Sequence, residues 1–185
     1  MKRTISIWQV AGFLFTCILG TLLHFLFDFS GQSVIAALVS AVNESIWEHM
    51  KLLYYPMLLF AVLEHRFVGK TYPHFFCVKL VGIALGLVLI PVIYYTYTGI
   101  LGVSADWFNI AIFFIAAGVT FRTETLLFRR KQLCRLSGTA AFFLLCLMGI
   151  VFTVFTFLPP HIPLFRDPVT GGYGFGKLQY PSLLN

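Results

Sequence analysis

Three long stretches of this chain carry no Asp, Glu, Lys or Arg: residues 4–27, 80–105 and 136–165. A charge-free apolar run of about 18 residues or more reads as a helix that crosses a bilayer. Composition agrees. Hydrophobic residues make up 59% of the 185 and charged residues 11%, where soluble domains hold roughly 45–50% and about 25%. Such a chain cannot hide its apolar surface from water by folding alone, and it is far too hydrophobic to stay disordered. The bilayer is therefore its expected solvent and principal partner. The first run is too long for the apolar core of a signal peptide and has no A-x-A site, so it reads as a retained helix.

The expected fold is all-α: a polytopic transmembrane bundle of five spanning helices over residues 5–27, 44–65, 79–100, 106–128 and 136–158, followed by a tail at 159–185. Five crossings put ten of the thirteen basic residues on one side: Lys2, Arg3, Arg66, Lys70, Lys79, Arg122, Arg129, Arg130, Lys131 and Arg135. By the positive-inside rule that side is cytoplasmic, giving an N-in, C-out plasma-membrane protein. The net charge of +6 is thereby explained as a topology signal. No basic stripe with interleaved aromatics suggests nucleic acid. Residues 34–42 are apolar but too short to cross, so they form a re-entrant or interfacial segment before the second span. Gly12, Thr16 and Gly20, and Gly82 with Gly86, are small-residue stripes for close packing within the bundle. Pro56 and Pro91 each free a carbonyl one turn back. Cys17, Cys77, Cys134 and Cys146 form no C-x-x-C pair and are expected as free thiols.

The chemistry concentrates in Asn43-Glu44-Ser45-Ile46-Trp47-Glu48-His49-Met50-Lys51. Asn43 is expected to cap the helix, and Glu44 and Glu48, four apart, to share one face. Like charges there need a cation, a proton or Lys51 to offset them. On the first helix His24 and Asp28 are also four apart, a spacing that lets a carboxylate orient an imidazole. The five-span topology brings these groups to the outer end, with Asp106 at the start of the fourth span and His161 and Asp167 in the tail. Ionisable groups at a membrane edge are costly and usually functional. The expected site is a divalent-metal centre of the zinc type with His24, Glu48 and His49 as ligands, and Glu44 as the base acting on a bound water. Asp28, Asn43, Lys51, Asp106, His161 and Asp167 support it, the last two through a tail acting as a lid. Gly171 to Lys177 resembles a phosphate-binding loop in spacing only, because Leu178 stands where Ser or Thr is required.

The string Val42-Asn43-Glu44-Ser45-Ile46-Trp47-Glu48-His49, with His24-Phe25 upstream and a proline-rich tail reaching Tyr173-Gly174, resembles a domain-of-unknown-function family of small bacterial integral membrane proteins. The resemblance covers essentially the whole chain. It implies a multi-pass protein of the bacterial inner membrane and names no substrate. The function expected from the residues is hydrolysis of a lipid headgroup or another membrane-proximal substrate. The rival readings are an ion- or proton-coupled carrier using Glu44 and Glu48, and a structural or assembly protein held by salt bridges. The inner halves of the spans are expected to hold almost no ionisable residues, which counts against a carrier.

Overall fold

The computed structural model describes residues 2–130 and 136–176. It consists of α1 (Lys2–Phe29), α2 (Val34–Ala37), α3 (Ile46–Val68), α4 (Phe75–Leu101), α5 (Asp106–Phe128) and α6 (Gly138–Phe157), with single 3-10 turns at Gly69–Thr71 and Pro163–Phe165. The described residues form no strand, only an isolated bridge between Arg166 and Tyr173. α1, α4, α5 and α6 are each long and apolar enough to cross a membrane, the pattern of a multi-pass membrane protein. The outward face of α1 shows why. Ile7, Val10, Leu14, Ile18 and Leu22 recur every three or four residues and are all exposed, a stripe suited to lipid rather than water.

α3 is the central helix. It buries twelve residues, against nine on α4, seven on α5 and four on α6. It runs antiparallel to α1, bringing Gln9 to Glu64 and Gly12 to Phe60. It also runs antiparallel to α4, with Lys79 against Glu64, and to α6, with Thr156 against Glu48. The core between these helices is built from Leu53, Tyr54, Met57, Phe60, Ile83, Leu87, Ile112 and Phe121.

The glycines act as expected, inside the bundle. A Cβ on Gly20 would come within 2.7 Å of the Leu52 carbonyl oxygen. That carbonyl belongs to the residue four before Pro56, which has no N–H to offer it. The proline thus frees an acceptor, and the glycine lets α1 close directly over it. Both α3 and α4 continue as helices through their prolines.

Four expectations need correction. The helix expected to start at Glu44 begins at Ile46, and its cap is Ser45, whose hydroxyl accepts from the Glu48 N–H at 3.4 Å. Asn43 instead organises the loop: its Oδ1 accepts from the Ser45 N–H at 2.9 Å. Lys79, counted among the charges of the basic side, is 1% exposed and lies within the bundle with Glu64 and Glu124, both 0% exposed. Cys17 and Cys146 are free thiols, but Cys77, in the first turn of α4, is disulfide-bonded. The lack of a C-x-x-C motif excludes only that local pairing and is silent on any other. Cys134, Lys131, Arg135 and Lys177 lie outside the described residues.

Candidate functional site

The N-terminus of α3 meets the C-terminal end of α1, and the two helices bring three of the expected residues together. Glu44 lies between two imidazoles, with Oε1 3.9 Å from His24 Nε2 and Oε2 3.4 Å from His49 Nε2. The two rings stand 5.4 Å apart. One donor atom from each of His24, Glu44 and His49 fits within 4.8 Å of the others, the spacing of a metal-ligating group. The capping geometry makes this possible. Glu44 precedes the cap, so its side chain is not held to a helical face and can turn back between the histidines.

The tautomer of His49 follows from its contacts. Its Nδ1 is 2.9 Å from the Ser45 carbonyl oxygen. A carbonyl only accepts, so Nδ1 carries the hydrogen of that bond and Nε2 is the nitrogen directed at Glu44. A ligating histidine is normally oriented through its other nitrogen in this way. His24 makes no such bond: its Nδ1 is buried without a hydrogen-bond partner. Glu44 is half exposed and both histidines are partly exposed, so the cluster faces outward.

Glu48, expected as a ligand, points away from the histidines into the bundle. Its Oε2 accepts from Lys51 Nζ at 2.8 Å and from the Val42 N–H at 3.2 Å. Its Oε1 accepts from the Thr156 hydroxyl at 3.0 Å. Lys51 is wholly buried, and its ammonium also donates to the Ala37 carbonyl and to Thr156 Oγ1, each at 2.8 Å. Two backbone groups of the segment around α2, the Ala37 carbonyl and the Val42 N–H, are thus satisfied by the charged side chains of α3, as buried irregular backbone requires. The like-charge problem posed for Glu44 and Glu48 is resolved by separation: one carboxylate faces the histidines and the other faces Lys51.

The tail closes over this buried pair. The Phe175 N–H donates to the Thr156 carbonyl at 2.8 Å, and Asn43 Nδ2 donates to the Gly174 carbonyl at 3.1 Å. Phe175 packs with Phe27, Ala36, Ala37 and Phe157. Gly174 has φ +52°, and a Cβ there would meet the Thr156 carbonyl at 2.5 Å. Phe165 packs on Trp47 in a tilted arrangement, ring centroids 4.6 Å apart. The supporting residues of the tail do other work. Asp167 is buried and holds its own turn, accepting from the Val169 N–H and the Thr170 hydroxyl. His161 packs on Tyr173. Among the described residues neither of them, nor the exposed Asp106, forms an ion pair with the histidine cluster. Asp28 is exposed one turn beyond His24 and acts on it electrostatically.

At the opposite end of α3 lies a second ionisable group that sequence reading missed. Lys79 Nζ is 2.6 Å from Glu64 Oε2 and 2.6 Å from Glu124 Oε2. Gln9 Nε2 donates to Glu64 Oε1 at 2.8 Å. Of these four, Lys79 is read from the sequence only as a basic-side charge. The available signal was Gly82, four residues before Gly86, which leaves the space that the Glu124 carboxylate fills.

Residues 1–175 match the model of a family described as a family of unknown function, DUF6512. No curated protein and no solved structure gives a significant match to this chain.

Proposed function

For this chain, which belongs to the DUF6512 family of unknown function, we propose a five-span inner-membrane protein that binds a divalent, zinc-type cation through His24, Glu44 and His49. The observation that carries the reading is the convergence of two imidazoles on one carboxylate, with the His49 ring oriented by the Ser45 carbonyl. Two histidines and one glutamate are a donor set that catalytic zinc sites use, leaving a coordination position open to water. A divalent ion held there acidifies a coordinated water and polarises a carbonyl or phosphoryl oxygen. At the rim of a bilayer that chemistry suits hydrolysis of a lipid headgroup or a membrane-proximal substrate. Glu44 moves from base to ligand in this reading, and Asp28 is the exposed carboxylate beside His24 left to accept a proton.

α3 is the fifth span. It has 23 residues, about 1.5 Å of rise each, enough for a hydrocarbon core of about 30 Å. Its charges count against it in a hydropathy average, yet Glu48, Lys51 and Glu64 all face protein. Alternating crossings then place the basic residues in the cytoplasm and the histidine cluster outside. The carrier reading is less favoured. Between Lys51 and Glu64 the buried face of α3 is Leu52, Leu53, Tyr54, Pro56, Met57, Phe60 and Ala61, a stretch with no carboxylate, amine or imidazole between the two charged ends.

Elemental analysis of the detergent-purified protein tests the proposal. The parent is expected to carry about one zinc-type ion per chain, or to take it up on addition of zinc, and the His24→Ala/His49→Ala variant to carry none. A folded parent that binds no metal under either condition sinks the reading.

A further inference from the structure

We propose that Glu64, Lys79 and Glu124 form a proton-binding site, in which the two carboxylates share one proton at neutral pH. The argument is a charge balance in a closed space. Two carboxylates face one ammonium, and all three side chains are at most 1% exposed. Among the described residues no second cation pairs with either carboxylate, and Arg66, Lys70, Arg122 and Arg129 are exposed. Tyr72, in the turn after α3, adds no charge, because burial together with the Glu64 carboxylate pushes its phenol up and keeps it neutral. The ammonium is secured as the cation. The rings of Phe75, Phe121 and Phe128 stand around Lys79 Nζ with centroids at 5.6, 5.3 and 5.8 Å, an arrangement that favours positive charge. Fully ionised, the group would leave one negative charge uncompensated in a medium of low dielectric. A buried group in that position neutralises by taking up a proton.

The oxygen atoms around the cluster point to the same ligand. Glu124 Oε1 and Gln9 Oε1 are both buried and have no hydrogen-bond partner, on residues that are 0% and 2% exposed. Gln9 suits either protonation state of Glu64. As placed, its amide N–H donates to Glu64 Oε1. Turned over, its carbonyl accepts from a protonated Glu64. Thr120 lies one turn before Glu124, and its hydroxyl is likewise buried and unpartnered. Gly86 admits it against α4 as Gly82 admits Glu124. α1, α3, α4 and α5 each supply one of Gln9, Glu64, Lys79 and Glu124, so loss of the proton places an unbalanced charge at the junction of four helices. Packing at the basic end is thereby tied to proton availability at that face of the membrane. None of these residues belongs to the histidine cluster, so this inference stands or falls independently of metal binding.

Infrared difference spectroscopy on the full chain with isotope-labelled glutamate tests it. The chain has four glutamates, Glu44, Glu48, Glu64 and Glu124, so the protonated-carboxyl band of the label reads few groups. The wild type at neutral pH is expected to show that band, and Glu44→Gln to keep it. Glu64→Gln and Glu124→Gln are each expected to abolish it, because either leaves one carboxylate balanced by one ammonium. If one of these two fails to fold, the other still decides. Absence of the band in the wild type, or its survival in a folded Glu64→Gln or Glu124→Gln protein, overturns the proposal.

Discussion

Lys51 shows what a single charged residue must satisfy inside a bundle. An ammonium has three hydrogens, and the three acceptors around Lys51, Glu48 Oε2, Thr156 Oγ1 and the Ala37 carbonyl, each lie at 2.8 Å. Removing one partner of such a buried pair strands the other charge, at a cost of about 3–5 kcal/mol. Lys51→Met is therefore expected to destabilise the protein by about that amount. Glu48→Gln/Lys51→Met, which removes both charges, should recover most of the loss. Thermal unfolding in detergent measures both, and a single variant no less stable than the double would show that the pair is not a unit. The sequence made the string around Glu44 conspicuous, because charges inside an apolar chain demand partners. It did not reveal which partner each charge takes. The even spacing of Glu44 and Glu48 suggested one shared face, but that inference holds only if both lie in the helix. Ser45-x-x-Glu48 is the pattern of a capping box, and reading it would have put Glu44 outside the helix and free to reach His24.

Among the elements, the contact of α1 with α3 has the most direct bearing on the site. Gly20 lies one turn before His24, and the Leu52 carbonyl it covers lies one turn after Glu48. A side chain at Gly20 must push against backbone and the Phe113 ring, neither of which yields as a flexible side chain would. Gly20→Val is thus expected to lower stability by about 1–3 kcal/mol as an overpacking change. It should also weaken zinc binding, because His24 moves away from Glu44 and His49. Gly99→Ala, within α4 where a Cβ meets nothing within 4 Å, is the control and should leave zinc affinity unchanged without lowering stability. Unfolding curves and a zinc titration on the same samples read the two effects. Equal zinc affinity in Gly20→Val and the parent would mean that the α1–α3 distance does not set the site. The small-residue stripe was legible in the sequence, and so was the short segment before α3, because length alone forbids it to cross. The tail's docking was only partly legible. Its apolar residues implied packing, but the placement of Phe175 depends on the backbone bond to Thr156 and on the left-handed turn at Gly174.

For the whole molecule, the two ends of the bundle differ in kind. One end holds the exposed basic residues Arg66, Lys70, Arg122 and Arg129 over the buried lysine and its two carboxylates. The other holds the histidine cluster and the folded tail. Helical class and multi-pass character follow from charge-free runs and were readable at once. The buried charges were not, since a glutamate near a helix end looks the same in sequence whether it faces water or a lysine across the core. Sidedness depends on two markers that disagree. Basic residues favour the cytoplasm, whereas the disulfide at Cys77, at the same end, is the mark of an oxidising compartment. Charge bias acts during insertion and is summed over many residues, so it outweighs a single disulfide. Accordingly, a membrane-impermeant thiol reagent applied to intact inner-membrane vesicles of right-side-out orientation is expected to label Val169→Cys, which is 78% exposed in the tail. Lys70→Cys, exposed at the basic end, should react only after permeabilisation. The reverse pattern would turn the molecule over, bring the disulfide into agreement with its compartment, and place the histidine cluster in the cytoplasm, where its substrate would have to be sought.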